Sequence, residues 1–210
     1  NPPVALDQIE GHLKIAESQI PDIRTGLEKS IIWANAPHRR TAYAIVYIHG
    51  FSASKEELRP VPDMIAASLG ANIFYTRLTG HGRTADAMRE ASFTAWMHDL
   101  AEAYEIGTMI GDQVIIISCS TGGTLVAAGI ANGVFSGKLF STVFFAPNFG
   151  LQDQMAQLLT WPLARYWAPL IGGEMQINAP RNQLHARYWT TSYPTISLIP
   201  LMQLIDMVDG

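Results

Sequence analysis

Ile115-Ile116-Ile117-Ser118-Cys119-Ser120-Thr121-Gly122-Gly123-Thr124-Leu125-Val126-Ala127-Ala128 is the stretch on which the fold turns. A β-branched apolar run stops at small polar residues, two glycines follow, and a helix-forming run begins. The pattern predicts a strand, a sharp turn and a helix, with Ser120 at the tip. A serine placed there lifts its hydroxyl above a sheet, and the amide after it lies at a helix N-terminus. The pattern Gly-x-Ser-x-Gly is met by Gly122 and, with another small residue, by Ser118. Ser120 is therefore a candidate nucleophile. A serine capping a helix in a glycine-rich turn, or a phosphate-binding loop, would produce the same five residues.

Upstream, Ala44-Ile45-Val46-Tyr47-Ile48 is apolar without alternation and ends in His49-Gly50-Phe51-Ser52. Such a run suits a strand buried on both faces of a parallel sheet. The following stretch predicts a helix over 55–69, capped by Ser54 and closed by Gly70, although Pro60 and Pro62 disfavour its first turns. Asn72 to Leu78 is the next strand, ending in Thr79-Gly80-His81-Gly82. Residues 92–110 predict a helix with Trp96, Leu100, Ala103 and Tyr104 on one stripe and Ser92 as cap. Phe140 to Ala146 is a further strand. Near the start, Leu6, Ile9, Leu13, Ala16 and Ile20 recur at helical spacing before Pro21, and Ser30 to Ala34 reads as a short strand.

Strand and helix thus alternate, which predicts an α/β architecture with a mainly parallel sheet and helices on both faces. Ligands of such sheets bind outside the carboxyl ends of the strands. The unusual loops at 49–54, 79–83 and 118–123 all fall there. Acyl transfer needs two amides aimed at the developing oxyanion. Thr121 supplies one as the residue after the nucleophile, and Phe51, on the loop after an earlier strand, supplies the other.

The 210 residues carry 48% apolar and 15% charged side chains with a net charge of −4, which excludes a disordered chain and lacks the basic character of a nucleic-acid binder. Cys119 is the single cysteine, so no internal disulfide forms. It occupies the variable position of the turn motif and reads as an inert buried thiol. No Cys or His spacing suits a metal, and no apolar run is long enough to span a membrane. The chain begins at Asn1 with no basic and apolar leader pattern, so a soluble protein is expected, either cytoplasmic or exported with an N-terminal segment removed.

Ile48-His49-Gly50-Phe51, Arg77-Leu78-Thr79-Gly80-His81-Gly82, Trp96 with Asp99-Leu100, and the Ser120 turn together resemble the α/β-hydrolase superfamily, in particular its monoglyceride-lipase and carboxylesterase branch. The resemblance covers residues 44–147. It implies a serine esterase or lipase acting on an acyl ester through Ser120, with the Phe51 and Thr121 amides as oxyanion hole and no cofactor or metal. It also implies a core over 1–147 and a helical cap over 148–210 that shapes an apolar acyl pocket. Residues 150–210 hold Trp161, Tyr166, Trp167, Tyr188, Trp189 and Tyr193, with helices expected over 152–168 and 197–208 and no strands. His81 is expected to be structural.

A serine needs a base, and the base an orienting acid, in the chain order Ser, acid, His. Expected core strands carrying them are not visible after Ala146, so the acid and base are expected beyond Gly210. An in-chain alternative has the right order with Glu174 and His185. The competing function is a catalytically incomplete relative that binds an apolar ligand under its cap.

Overall fold

The computed structural model describes residues 5–150 and 158–209. Strands β1 (Ser30–Ile32), β2 (Thr41–Ile48), β3 (Asn72–Tyr75), β4 (Gly111–Cys119) and β5 (Leu139–Phe145) form one sheet in the order β1-β3-β2-β4-β5. Every pairing is parallel except that of β1 with β3. This is the mainly parallel α/β sheet that the alternation of strand and helix implied. Helices α1 (Ile9–Ser18), α2 (Val61–Leu69), α3 (Phe93–Ile110) and α4 (Thr121–Ala131) accompany the strands.

Both faces of the central strands are buried, as their unbroken apolar runs require. Ala44, Val46 and Ile48 of β2 and Val114 and Ile116 of β4 face one core, with Leu13 of α1, Trp96, Leu100 and Ala103 of α3, and Leu125 and Val126 of α4. Ile45, Tyr47, Ile73, Tyr75, Ile115 and Ile117 face the other, against Ala66 of α2. Successive residues of one strand thus serve opposite layers, as the pleat dictates. β5 lies at an edge of the described sheet, and Phe140 and Val143 on it are exposed.

Local signals set most element ends. Ser92 caps α3, its Oγ accepting from the Ala95 amide at 3.1 Å. Gly70 closes α2 in the left-handed region at φ 58°. The helix expected from residue 55 starts only at Val61, because Pro60 and Pro62 admit no earlier helical hydrogen bonds. Ser54 is correspondingly buried in a turn, where its Oγ accepts from Glu56 N at 3.4 Å. β3 ends at Tyr75, three residues short of Leu78.

Beyond β5 the chain forms α5 (Ala164–Gly172), β6 (Met175–Ile177), α6 (Gln183–Tyr188), β7 (Ser192–Pro194) and α7 (Leu198–Asp209). The first part of the helix expected over 152–168 lies outside the described residues. One correction applies to this region, where no strands were expected. β6 and β7 pair antiparallel, a ribbon too short for its three-residue strands to show as apolar runs. Leu201, Met202, Leu204 and Ile205 of α7 are buried in the same cluster as Leu125 and Trp96, so the last helix packs on the sheet's helical layer.

Leu100 sits wholly buried at the centre of that layer. Leu100→Ala is expected to cost about 3–5 kcal/mol, through lost transfer energy and the cavity left behind. A urea midpoint shift equivalent to less than about 1 kcal/mol would show that this layer is not the close-packed core.

Candidate active site

The turn at the end of β4 is held by its backbone. Ser120 sits at φ 49° and ψ −120°, a conformation that costs a non-glycine residue about 1–3 kcal/mol. Four backbone hydrogen bonds over-determine it. The Ser120 amide donates to Phe145 O at 2.9 Å, and the Ser120 carbonyl accepts from Gly123 N at 2.9 Å, Thr124 N at 3.3 Å and Asn148 N at 3.3 Å. The side chain alone is left to project, and among the described residues its hydroxyl has no hydrogen-bond partner. Thr121 opens α4, so its amide belongs to the unpaired first turn of the helix.

Gly122 is required sterically. A Cβ there would fall 2.4 Å from Ile48 O and 2.6 Å from His49 O, so α4 begins pressed against the end of β2. The other motif position is less strict. Ser118 fits because it is small and buried, and its Oγ donates to Val143 O at 3.3 Å.

The same contact brings the 49–53 loop to the serine. A Cβ on Gly50 would lie 3.2 Å from the Ser120 Cβ. The loop is a turn, with Ala53 N donating to Gly50 O at 3.3 Å and Ser52 left-handed at φ 59°. Two buried imidazoles fix it. His49 Nε2 accepts from Leu78 N at 3.1 Å, which leaves Nδ1–H to donate to Gly50 O at 2.9 Å. His81 Nε2 accepts from Ser52 N at 3.0 Å, and its Nδ1–H points to Thr79 O at 3.2 Å. Both rings are therefore neutral, and their centroids are 4.9 Å apart. Burial lowers both pKa values: that of His49 to about 4, and that of His81, also opposed by His49, well below its ordinary value. His81 is structural, as expected, but its work is specific, for it orients the loop next to Ser120.

The Phe51 ring packs edge-on against Tyr193 at 5.0 Å and near His81 and Trp96. Ser52 O accepts from Thr190 N at 2.7 Å, which ties the β6–β7 region to the loop. Arg24 anchors that region from the N-terminal side, donating to Arg187 O, Trp189 O and Thr190 Oγ1 at 3.0–3.2 Å. α1 is held in turn by the buried pair of Glu17 with Arg77, at 2.8 and 3.0 Å. Burial alone would raise the Glu17 pKa, but the Arg77 guanidinium holds it below the usual range.

Cys119 is buried, and burial, followed by the neighbouring Glu57, pushes its thiol up to about 12. It is held as the unreactive thiol. Glu57 is the polar residue that the sequence concealed. It lies in the loop before α2 and accepts from Gly50 N at 2.8 Å and Tyr47 Oη at 3.1 Å. Pro60 and Pro62, which delay the helix, were the signal that this glutamate belongs to the loop.

Glu174 and His185 are not brought together. Glu174 is exposed before β6, its carbonyl accepting from Thr195 N at 3.0 Å. His185 lies in α6, stacked on Trp189 at 5.0 Å. Among the described residues, neither side chain has a hydrogen bond to Ser120 or to the other. No group of three or more His, Cys, Asp or Glu side chains suited to a metal occurs among the described residues, and none of their helices is long and apolar enough to cross a membrane.

The sequence profile of the alpha/beta hydrolase family matches residues 45–206. The structure is similar to one described with LipS and LipT, two metagenome-derived lipolytic enzymes, at TM-score 0.68 and 17% identity, covering 89% of this chain and 71% of the other. It is similar to a soluble variant of monoglyceride lipase from Saccharomyces cerevisiae in complex with a substrate analog, at TM-score 0.58 and 12% identity, covering 85% and 64%. A Paleococcus ferrophilus monoacylglycerol lipase gives TM-score 0.55 and 12% identity over 88% and 73%. At these identities the likeness is one of fold. No curated protein matches the sequence.

The two histidines set a pH dependence. Their folded pKa values are depressed, so the stability they contribute is complete above about pH 6.5 and is lost as the pH falls toward their folded values. For His49 this amounts to about 3 kcal/mol. Glu57 and Asp99, raised by burial, act in the opposite sense and gain stability as the pH falls. The His49 contribution is isolated by comparison with His49→Asn in urea unfolding. Wild type is expected to lead by a margin that narrows from pH 7 to pH 4.5. A constant margin would mean that His49 is not held neutral.

Proposed function

The chain belongs to the alpha/beta hydrolase family, and on that premise we propose that it is a serine hydrolase cleaving carboxylic esters through an acyl-enzyme on Ser120. The observation that carries the reading is the over-determined backbone at Ser120. A left-handed serine between strand and helix, with its carbonyl and amide both bonded and its hydroxyl without a partner among the described residues, is a costly arrangement for a mere helix cap. Ser120 Oγ attacks the ester carbonyl, and the Phe51 and Thr121 amides stabilise the oxyanion. The alcohol leaves with a proton from the protonated base, and water then releases the acid.

The base and acid are proposed to come from outside the described residues, with the open edge of β5 as the place where further strands would bring them. β5 already contacts the turn through the Phe145 carbonyl on Ser120 N. The exposed apolar side chains Trp161, Leu163, Tyr166, Leu170 and Ile171, and Tyr193 packed on Phe51, support an acyl substrate over a charged one. Short to medium acyl chains or a monoacylglycerol are the proposed class, with no cofactor or metal.

The test is a fluorophosphonate probe on the full-length protein. Labelling is expected at Ser120, and Ser120→Ala is expected to lose label and to lower ester hydrolysis by on the order of 10⁴-fold or more. A folded wild-type protein that takes no label, and whose affinity for an apolar ligand is unaltered by Ser120→Ala, would instead be the incomplete, ligand-binding relative.

A further inference from the structure

Among the three amides in the Gly50–Ser52 turn, two are committed to side chains. Gly50 N donates to Glu57 Oε2 at 2.8 Å, and Ser52 N donates to His81 Nε2 at 3.0 Å. Among the described residues, the Phe51 amide between them has no acceptor. Glu57 is therefore one of two side-chain pegs that decide which way this turn presents its amides.

Glu57 is also close to the reacting serine. Its Oε1 lies 2.9 Å from the position that a Cβ on Gly50 would take, and the Ser120 Cβ lies 3.2 Å from that same point, so the two atoms are within about 6 Å. The carboxyl is itself held from the sheet. Tyr47 Oη donates to Oε2 at 3.1 Å, and the Cys119 thiol neighbours the carboxyl. Tyr47 is wholly buried on β2, and Cys119 ends β4 immediately before Ser120. One carboxyl thus joins the end of β2, the end of β4 and the 49–53 turn.

We propose that Glu57 is a positioning residue for the oxyanion hole: by accepting from Gly50 N it fixes the His49–Gly50 peptide, the unit next to the one that carries the Phe51 amide, so that this amide is aimed beside Ser120. The assignment deepens the serine-hydrolase reading and rests on it. The effect runs through Gly50 and not through contact with substrate. It depends on an acceptor at this point more than on a negative charge, since a full charge so near would oppose the oxyanion. Burial favours the uncharged carboxyl in the same direction.

The experiment compares Glu57→Ala, Glu57→Gln and wild type in the full-length protein, with a p-nitrophenyl ester and a fluorophosphonate. Hydrogen exchange over residues 50–52 is followed in parallel. Glu57→Ala is expected to lower kcat and the labelling rate about 10- to 100-fold with KM within about two-fold, because only the transition state uses the amide. Exchange at Gly50 is expected to rise. Glu57→Gln, which keeps an acceptor, is expected to recover most of the loss. If Glu57→Ala does not fold, Glu57→Asp, whose acceptor is withdrawn by one methylene, reads the same split. Unchanged kcat and labelling in a folded Glu57→Ala or Glu57→Asp would overturn the assignment. So would a Gln variant as impaired as the Ala variant. Failure of wild type to label overturns the Ser120 reading itself, and is told apart because it appears before any change at Glu57.

Discussion

The rest of the structure depends on one close approach. The first turn of α4 rests on the carbonyls of Ile48 and His49, at a distance that leaves no room for a side chain on Gly122. Because α4 begins there, β4 has to end in a single left-handed residue, and Ser120 takes that position. Because the end of β2 lies against α4, the loop that leaves β2 has to pass the serine. The nucleophile candidate and the loop proposed to bind the oxyanion are therefore two consequences of one packing contact. They need no separate folding instruction.

The loop is fixed from several sides. His49 and His81 hold it from below as neutral acceptors, Glu57 holds Gly50 from the loop before α2, and Thr190 holds Ser52 from the β6–β7 region. Arg24 secures that region through three acceptors, and the buried Glu17–Arg77 pair secures α1. A paired buried charge gives little net stability, but losing one partner strands the other, which fixes the geometry more than it strengthens the fold. Segments far from Ser120 in sequence, at 17–24 and 187–193, thus converge on the turn at 50–52.

Much of this was legible in the sequence. Unbroken apolar runs in β2 and β4 gave away strands buried on both faces, and Gly122 marked the elbow because no other residue fits there. Ser118 departs from the motif, and the structure supplies the reason that it is tolerated: its hydroxyl finds Val143 O. What was hidden depends on non-local partners. Glu57 reads as a helix-surface residue until Pro60 and Pro62 push the start of α2 to Val61 and turn 54–60 into loop. β6 and β7 have too few residues for a periodic signal. α7 has the apolar spacing of any covering helix, and only its burial with Leu125 and Trp96 assigns it to the core. Glu174 and His185 follow Ser120 in the right order, but among the described residues neither is hydrogen-bonded to it or to the other.

The most direct test of the central claim, that the loop after β2 and the start of α4 form one oxyanion site about Ser120, is a crystal structure of the covalent phosphonate adduct. The phosphoryl oxygen is expected about 2.7–3.1 Å from both the Phe51 and Thr121 amides, with phosphorus bonded to Ser120 Oγ. An adduct whose oxygen is turned to solvent or bound by other donors would contradict the account.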